Sequence, residues 1–310
     1  MKRIALLFSG QGAQYVGMGR ELHDQNAPAR AIFEEADRIL DLPLRQTCFH
    51  GPEADLTQTA WCQPGIFVHS LAALAAVRAV RPDLRFQAAA GLSLGEFTAL
   101  TAAGWMTFET GLRLVRRRGQ LMQDACEKTA GAMASILGLD LDRLQAVCAE
   151  AGVDVANLNC PGQIVISGEK EAITKAVALA KARGAKRALP LTVAGAYHSR
   201  LMKSAAEQLA VDMASLRFRP GETPVISNVT AQPHALSHIQ RRLVEQVTSP
   251  VRWEESMRAL LSQGFQAFLE LGPGEVLAGL MRRIAPAANV VSVSRPSDLA
   301  KLSVFSDGSA

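Results

Sequence analysis

The chain has 310 residues, 48% apolar and 20% charged, with a net charge of +4. That composition is globular and excludes collagen-like and low-complexity classes, and the length predicts about two structural units. The mild charge carries no dense basic block, so nucleic-acid binding is not expected, and no apolar run reaches the ~18 residues of a membrane span.

Residues 3–8 predict a first strand. The chain opens on Met1-Lys2-Arg3, but the apolar run that follows is short and ends at Ser9-Gly10-Gln11-Gly12, unlike a signal peptide. A cytoplasmic protein is expected. Helical spacing covers 30–39 and 68–79. A short strand over 86–92 leads through a sharp turn into helices over 94–103 and 108–125. The pattern then changes to strand 132–138, helix 141–151, strands 153–159 and 163–167, helix 169–183 and strand 187–193. That βαββαβ order is the split βαβ signature of a ferredoxin-like unit. Residues 201–216 and 236–247 read as helical and 224–229 as extended. Strand 265–271 ends at Gly272-Pro273-Gly274 and opens a helix at Glu275. The polar tail after Pro296 is expected to fray. The fold class is therefore α/β. A hydrolase-like large domain with a mostly parallel sheet (1–128 and 196–310) carries an inserted ferredoxin-like domain (129–195).

The five cysteines, Cys48, Cys62, Cys126, Cys148 and Cys160, have no CxxC or metal-ligand spacing and read as buried thiols. No metal site is expected.

Gly91-Leu92-Ser93-Leu94-Gly95 matches G-x-S-x-G between a predicted strand and helix, the setting of a nucleophile on a tight turn. The helix starting at Leu94 aims free N–H groups at the same place, which suits an oxyanion. A Ser nucleophile needs a base. Of six histidines, His23, His50, His234 and His238 lie in polar stretches and read as surface residues. His69 reads as a core histidine. His198, between a strand and a helix and flanked by small residues, is the best candidate. An α/β-hydrolase would run Ser, acid, then a late His, and would not place a ferredoxin-like unit between Ser93 and His198, so an esterase is disfavoured.

On the helix over 108–125, the i±3 and i±4 neighbours of Arg118 are Leu114, Val115, Leu121 and Met122. Arg118 therefore points inward, where a guanidinium needs a partner: a substrate carboxylate or an internal Asp or Glu. Arg116 and Arg117 read as solvated or facing a partner. Gly10-Gln11-Gly12 fails the dinucleotide fingerprint at Tyr15. It reads as a turn that brings Gln11 to the cleft as an oxyanion donor.

Several ordered motifs together resemble one family. They are Phe8-Ser9-Gly10-Gln11-Gly12, Gln63-Pro64, Gly91-Leu92-Ser93-Leu94-Gly95-Glu96, Arg118-Gly119 with Met122, and Asn157-Leu158-Asn159-Cys160-Pro161-Gly162-Gln163. Val165-Ile166-Ser167-Gly168, Gly195-Ala196-Tyr197-His198-Ser199, Pro250-Val251-Arg252-Trp253 and Glu270-Leu271-Gly272-Pro273-Gly274 complete the set. The chain resembles malonyl-CoA:acyl carrier protein transacylases and the related acyltransferase domains of polyketide synthases. The resemblance implies Ser93 as nucleophile, His198 as base and acid, and Arg118 as the malonyl carboxylate partner. It further implies the backbone N–H groups of Gln11 and Leu94 as oxyanion hole and the Gln246 carbonyl as the group orienting His198. Malonyl-CoA and acyl carrier protein would be substrate and partner, with no cofactor and a monomeric protein. Two positions depart from the family. Leu92 stands where His is usual, and Tyr197 where malonyl-selective members often have Phe.

The expected function is malonyl transfer for fatty acid synthesis. The alternatives are a trans-acting acyltransferase for a polyketide synthase, an editing hydrolase that would not need Arg118, and a non-catalytic carrier-binding protein. Arg116, Arg117, Lys181, Arg183, Lys186 and Arg187 are candidate docking charges for an acidic carrier.

Overall fold

Residues 3–305 are described by a computed structural model. The first strand, β1 (Ile4–Phe8), is buried at all its positions, as an all-apolar strand in the middle of a parallel sheet must be. After it come α1 (Arg20–Gln25), α2 (Ala27–Leu40), α3 (Leu44–His50), α4 (Glu53–Leu56) and α5 (Thr59–Val80). Next are β2 (Ala88–Gly91), α6 (Leu94–Ala102) and α7 (Phe108–Lys128). The middle of the chain forms β3 (Gly131–Leu137), α8 (Leu141–Ala151), β4 (Asp154–Cys160), β5 (Gln163–Glu169), α9 (Lys170–Ala182) and β6 (Arg187–Pro190). The last part holds α10 (Lys203–Met213), α11 (Ile239–Gln246), α12 (Trp253–Ser262), β7 (Ala267–Leu271), α13 (Val276–Ile284) and β8 (Asn289–Val293).

One sheet runs β2-β1-β7-β8, all parallel. β1 pairs with β2 on one side and with β7 on the other, so the chain order turns back across β1. Ligands of open α/β sheets bind at such a switch point, beyond the carboxyl ends of the strands. Here Gln11 follows β1 and Ser93 follows β2. The second sheet runs β4-β5-β3-β6, all antiparallel. Its core joins Ile136 and Ile166 to Leu144 and Val147 of α8 and Ile173 of α9. Val251 ties this sheet to the rest: its N–H donates to Ala156 and its carbonyl accepts from Leu158.

α5 is the one helix among the described residues long and apolar enough to cross a membrane, and 83% of that window is buried inside the protein. It is a core helix. His69 on α5 is fully buried, as expected, and its Nε2 lies 3.0 Å from the Ser294 carbonyl. Burial pushes its imidazole down to about 4, against the pull of that carbonyl. An imidazole held neutral in the fold binds its proton only in the unfolded chain between pH 6.5 and 4. Stability is therefore full above 6.5 and falls as pH drops through that window, by on the order of 3 kcal/mol for this group. His69→Gln keeps a donor for Ser294 and removes the titration. Urea midpoints at pH 7 and pH 4.5 should differ markedly less in this variant than in the wild type; an equal difference would clear His69 of the effect.

Several expectations are corrected. The tail does not fray at Pro296: Pro296–Phe305 is a 3-10 segment that buries Leu302 and Phe305, and only residues 306–310 lie outside the described region, with Met1 and Lys2. The strand expected to reach 193 ends at Pro190, because the following residues turn to line a cavity. Residues 224–229 make only isolated bridges, Ala89 to Val225 and Ile226 to Pro233. Arg116 is half-buried, stacked on Trp61 and bonded to the Ala60 carbonyl. Arg117 pairs with Asp212 at 2.7 Å and Arg183 with Glu150. These three candidate docking charges each have a partner within the protein, and Lys181, Lys186 and Arg187 are exposed.

Candidate active site

Ser93 sits at the tip of β2 and caps α6 with φ 54° and ψ −106°, a strained conformation held only by its surroundings. A Cβ on Gly91 would lie 1.9 Å from the Gly95 carbonyl carbon, and one on Gly95 would lie 2.1 Å from the Phe8 carbonyl oxygen. Those are backbone atoms and cannot retreat, so both flanking positions require glycine. Asn228 clamps the same turn. Its Oδ1 accepts from the Ser93 N–H at 2.7 Å and its Nδ2 donates to the Gly91 carbonyl at 2.8 Å.

His198 follows from the small-residue run after β6. Its Nε2 is 2.8 Å from Ser93 Oγ, and its Nδ1 donates to the Gln246 carbonyl at 2.8 Å. With Nδ1–H committed to that carbonyl, Nε2 keeps a lone pair for the serine proton. Burial pushes the imidazole down to about 4, helped by the Arg118 charge and opposed by the Gln246 and Ser249 carbonyls. At neutral pH it is a base ready to accept.

Arg118 is buried on α7. Its Nη1 donates to Gln63 Oε1 at 2.7 Å, and its Nη2 donates to Gln246 Oε1 at 2.9 Å and Ser93 Oγ at 3.1 Å. Its plane lies 5.1 Å from the Phe97 ring. Among the described residues no carboxylate is in ion-pair range of it, and its Nε is buried without a partner. The inward cation is held by neutral amides and touches the Ser93 hydroxyl.

The Gln11 side chain donates to Thr59 Oγ1 and to the Tyr197 hydroxyl, both at 3.3 Å. Its backbone N–H has no acceptor among the described residues. The Leu94 N–H is the first of α6 and has no intrahelical acceptor either. A cavity of about 520 Å³ opens onto Ser93 and His198 between the two sheets, with Tyr197, Leu92, Met133 and Val193 in its wall.

His234 does not lie at the surface. It is buried against Glu96, Nε2 to Oε1 at 2.6 Å, and Glu96 Oε2 accepts from Gln246 Nε2 at 2.5 Å. Asn228, Gln63, Glu96 and His234 carry no role in the sequence reading. Two of them left a signal. Glu96 has the apolar Ala99 and Leu100 at i+3 and i+4 on its helix, and Gln63 lies in an apolar stretch beside Cys62, Ile66 and Phe67. His234 meets Glu96 across 138 positions, and no local pattern foretells that.

The family model for the acyl transferase domain matches residues 5–294. A malonyl CoA-acyl carrier protein transacylase of Bacillus subtilis (strain 168) is 43% identical, over 96% of this chain and 96% of its own length. The chain belongs to the acyl transferase family, among the malonyl-CoA:acyl carrier protein transacylases. Solved acyl transferases agree. The acyl-carrier-protein S-malonyltransferase of Bartonella henselae superposes with a TM-score of 0.92 at 37% identity, covering 98% of this chain and 99% of that one. A malonyl-transacylase solved in complex with its type II polyketide synthase acyl-carrier protein gives a TM-score of 0.94 at 37% identity, with 98% and 100% covered. The shared fold includes both the parallel sheet and the separate antiparallel sheet.

Proposed function

We propose that the protein moves a malonyl group from malonyl-CoA to the phosphopantetheine thiol of acyl carrier protein through an ester on Ser93, supplying fatty acid synthesis. His198 Nε2 takes the Ser93 proton as Oγ attacks the thioester carbonyl. The N–H groups of Gln11 and Leu94 receive the oxyanion. Collapse expels the CoA thiolate, which takes the proton back from His198. The carrier thiol then gives its proton to His198, attacks the ester, and Ser93 recovers its proton on leaving. Arg118 pairs with the free carboxylate throughout.

The observation that carries this reading is the contact between Arg118 Nη2 and Ser93 Oγ. In a malonyl thioester the free carboxylate lies one methylene beyond the reacting carbonyl. A guanidinium that touches the nucleophile is where that carboxylate must go. A hydrolase for plain acyl chains would have no substrate group to meet that guanidinium. Initial rates at several fixed carrier concentrations test the sequence of steps. Parallel double-reciprocal lines are expected; converging lines would require both substrates bound at once and would exclude the ester route.

A second reading keeps the chemistry and changes the carrier. Leu92 in place of the usual His, and the likeness to a transacylase of a polyketide carrier, support a role in polyketide synthesis. Paired assays with a fatty acid carrier and a polyketide carrier separate the two. We place the reaction in the cytoplasm, the reducing compartment that suits five buried cysteines kept as thiols.

The Tyr197 ring closes the cavity beside His198, and its hydroxyl is tied to Thr59 and Gln11. It leaves little room for a branch at the α-carbon. Tyr197→Ser should raise the methylmalonyl-to-malonyl ratio of kcat/KM by about tenfold, the order of one methyl group in a pocket. The ratio is the proper readout, since losing the hydroxyl's bonds slows both substrates. An unchanged ratio would refute the steric account.

A further inference from the structure

Glu96 is a charged residue that the transfer chemistry does not use. It is fully buried on α6, three residues past the nucleophile. One carboxylate oxygen lies 2.6 Å from His234 Nε2, and the other accepts from Gln246 Nε2. A carboxylate buried this completely needs a cation near it. His234 lies within ion-pair distance, its Nε2 2.6 Å from Oε1, and its Nδ1 has no partner among the described residues.

The buried cation in the same network is Arg118. The Gln246 side chain lies between the two charges. Its Nε2 faces Glu96 and its Oε1 accepts from Arg118 at 2.9 Å. A flipped amide would set donors against the guanidinium and an oxygen against the carboxylate. The two charges therefore fix the amide, and the amide fixes the guanidinium beside Ser93. Burial pushes Arg118 down to about 10, and the Glu96 charge acts against that push.

We infer that Glu96 is the counter-charge of Arg118 in the empty site, coupled to it through the Gln246 amide, and that it sets how strongly the enzyme prefers an acyl group bearing its own carboxylate. The inference rests on Arg118 as the carboxylate partner. When a malonyl group docks, two anions share one guanidinium. Their repulsion across a poorly screened interior weakens the hold on the substrate. Glu96 thus gives up malonyl affinity and gains a guanidinium that stays aimed when the site is empty. It also eases release, since the departing malonyl group leaves a partner behind for Arg118. Glu96 is a positioning and specificity residue that acts through Gln246 and Arg118.

The test is the rate of Ser93 ester formation from malonyl-CoA and from acetyl-CoA, by rapid quench and intact-protein mass, in wild type and Glu96→Gln. A Gln at this position can still accept from Gln246, and with the His234 proton on Nδ1 its NH2 can donate to Nε2, so the change removes the charge and keeps both contacts. The malonyl-to-acetyl ratio of kcat/KM is expected to rise about tenfold, through a lower KM for malonyl-CoA, with slower discharge of malonyl to the carrier. A structural role alone would slow both acyl groups equally; an unchanged or lowered ratio overturns the inference. If Glu96→Gln does not fold, Glu96→Asp decides. It keeps the charge but draws it back from Gln246, and should raise the ratio about threefold; a wild-type ratio there overturns the inference. A wild-type enzyme with no malonyl preference would overturn the role of Arg118 itself, and this inference with it. A wild-type preference that Glu96→Gln leaves alone would overturn this inference only.

Discussion

Arg118→Ala is expected to lower kcat/KM for malonyl-CoA by about 10²- to 10⁴-fold while acetyl-CoA changes little. The guanidinium is buried and is the cation that touches Ser93 Oγ. Without it the malonyl carboxylate enters the cavity with no partner. Leaving one half of a buried ion pair alone costs about 3–5 kcal/mol, and each 1.4 kcal/mol is a factor of ten. The substitution also strips the Gln63 and Gln246 side-chain oxygens of a donor, so the protein loses stability as well. Comparing two acyl-CoA substrates in the same variant cancels that loss. Arg118→Lys keeps the charge without the planar fork and should fall between. Equal losses on both substrates would mean that Arg118 supports the fold and does not select the acyl group.

Ser93→Ala and His198→Ala should each remove transfer almost completely, and the double variant should be no worse than either single one. In the proposed transfer Ser93 makes the ester, so no other group can replace it. In the same proposal His198 moves the proton in both half-reactions, and its 2.8 Å contact with Ser93 is the route. General base catalysis alone is worth about 10²- to 10⁴-fold. Groups that act as one unit give losses that do not add. Additive losses would mean that the imidazole works on its own, on the thiol or the leaving group, and that the Ser93–His198 bond is incidental. The free-enzyme pH profile bears on the same point. Burial holds His198 down to about 4, so the acid limb of kcat/KM should lie well below the ordinary imidazole value of 6.5.

The sequence carried the parts of this site that depend on local rules. Two glycines around a serine, after a strand and before a helix, mark a turn that only glycine permits, and the clash distances at Gly91 and Gly95 supply the cause. Arg118 was legible because a charge stood where helical spacing put apolar neighbours. The same rule applied to Glu96 would have found it. The βαββαβ run was legible from alternating short elements. What stayed hidden depends on long-range packing. His234 looked polar and exposed in its own segment and is buried because Glu96 reaches it from α6. Arg116 reads as solvated in its own segment because Trp61, on which it stacks, is distant in sequence. The tail looked loose because the partners of Leu302 and Phe305 belong to the core of the whole large sheet. α12 and β8 were missed, and α5 was read short. In α5 a proline at position 64 hides a helix that begins at Thr59.

The central claim is a malonyl ester on Ser93 that a carrier thiol removes. Intact-protein mass spectrometry after brief exposure to malonyl-CoA, followed by a chase with acyl carrier protein, tests it directly. The account predicts one malonyl adduct, located on Ser93, absent from Ser93→Ala, weak with acetyl-CoA, and discharged by the carrier far faster than by water. No adduct, or an adduct lost to water as fast as to the carrier, would contradict it.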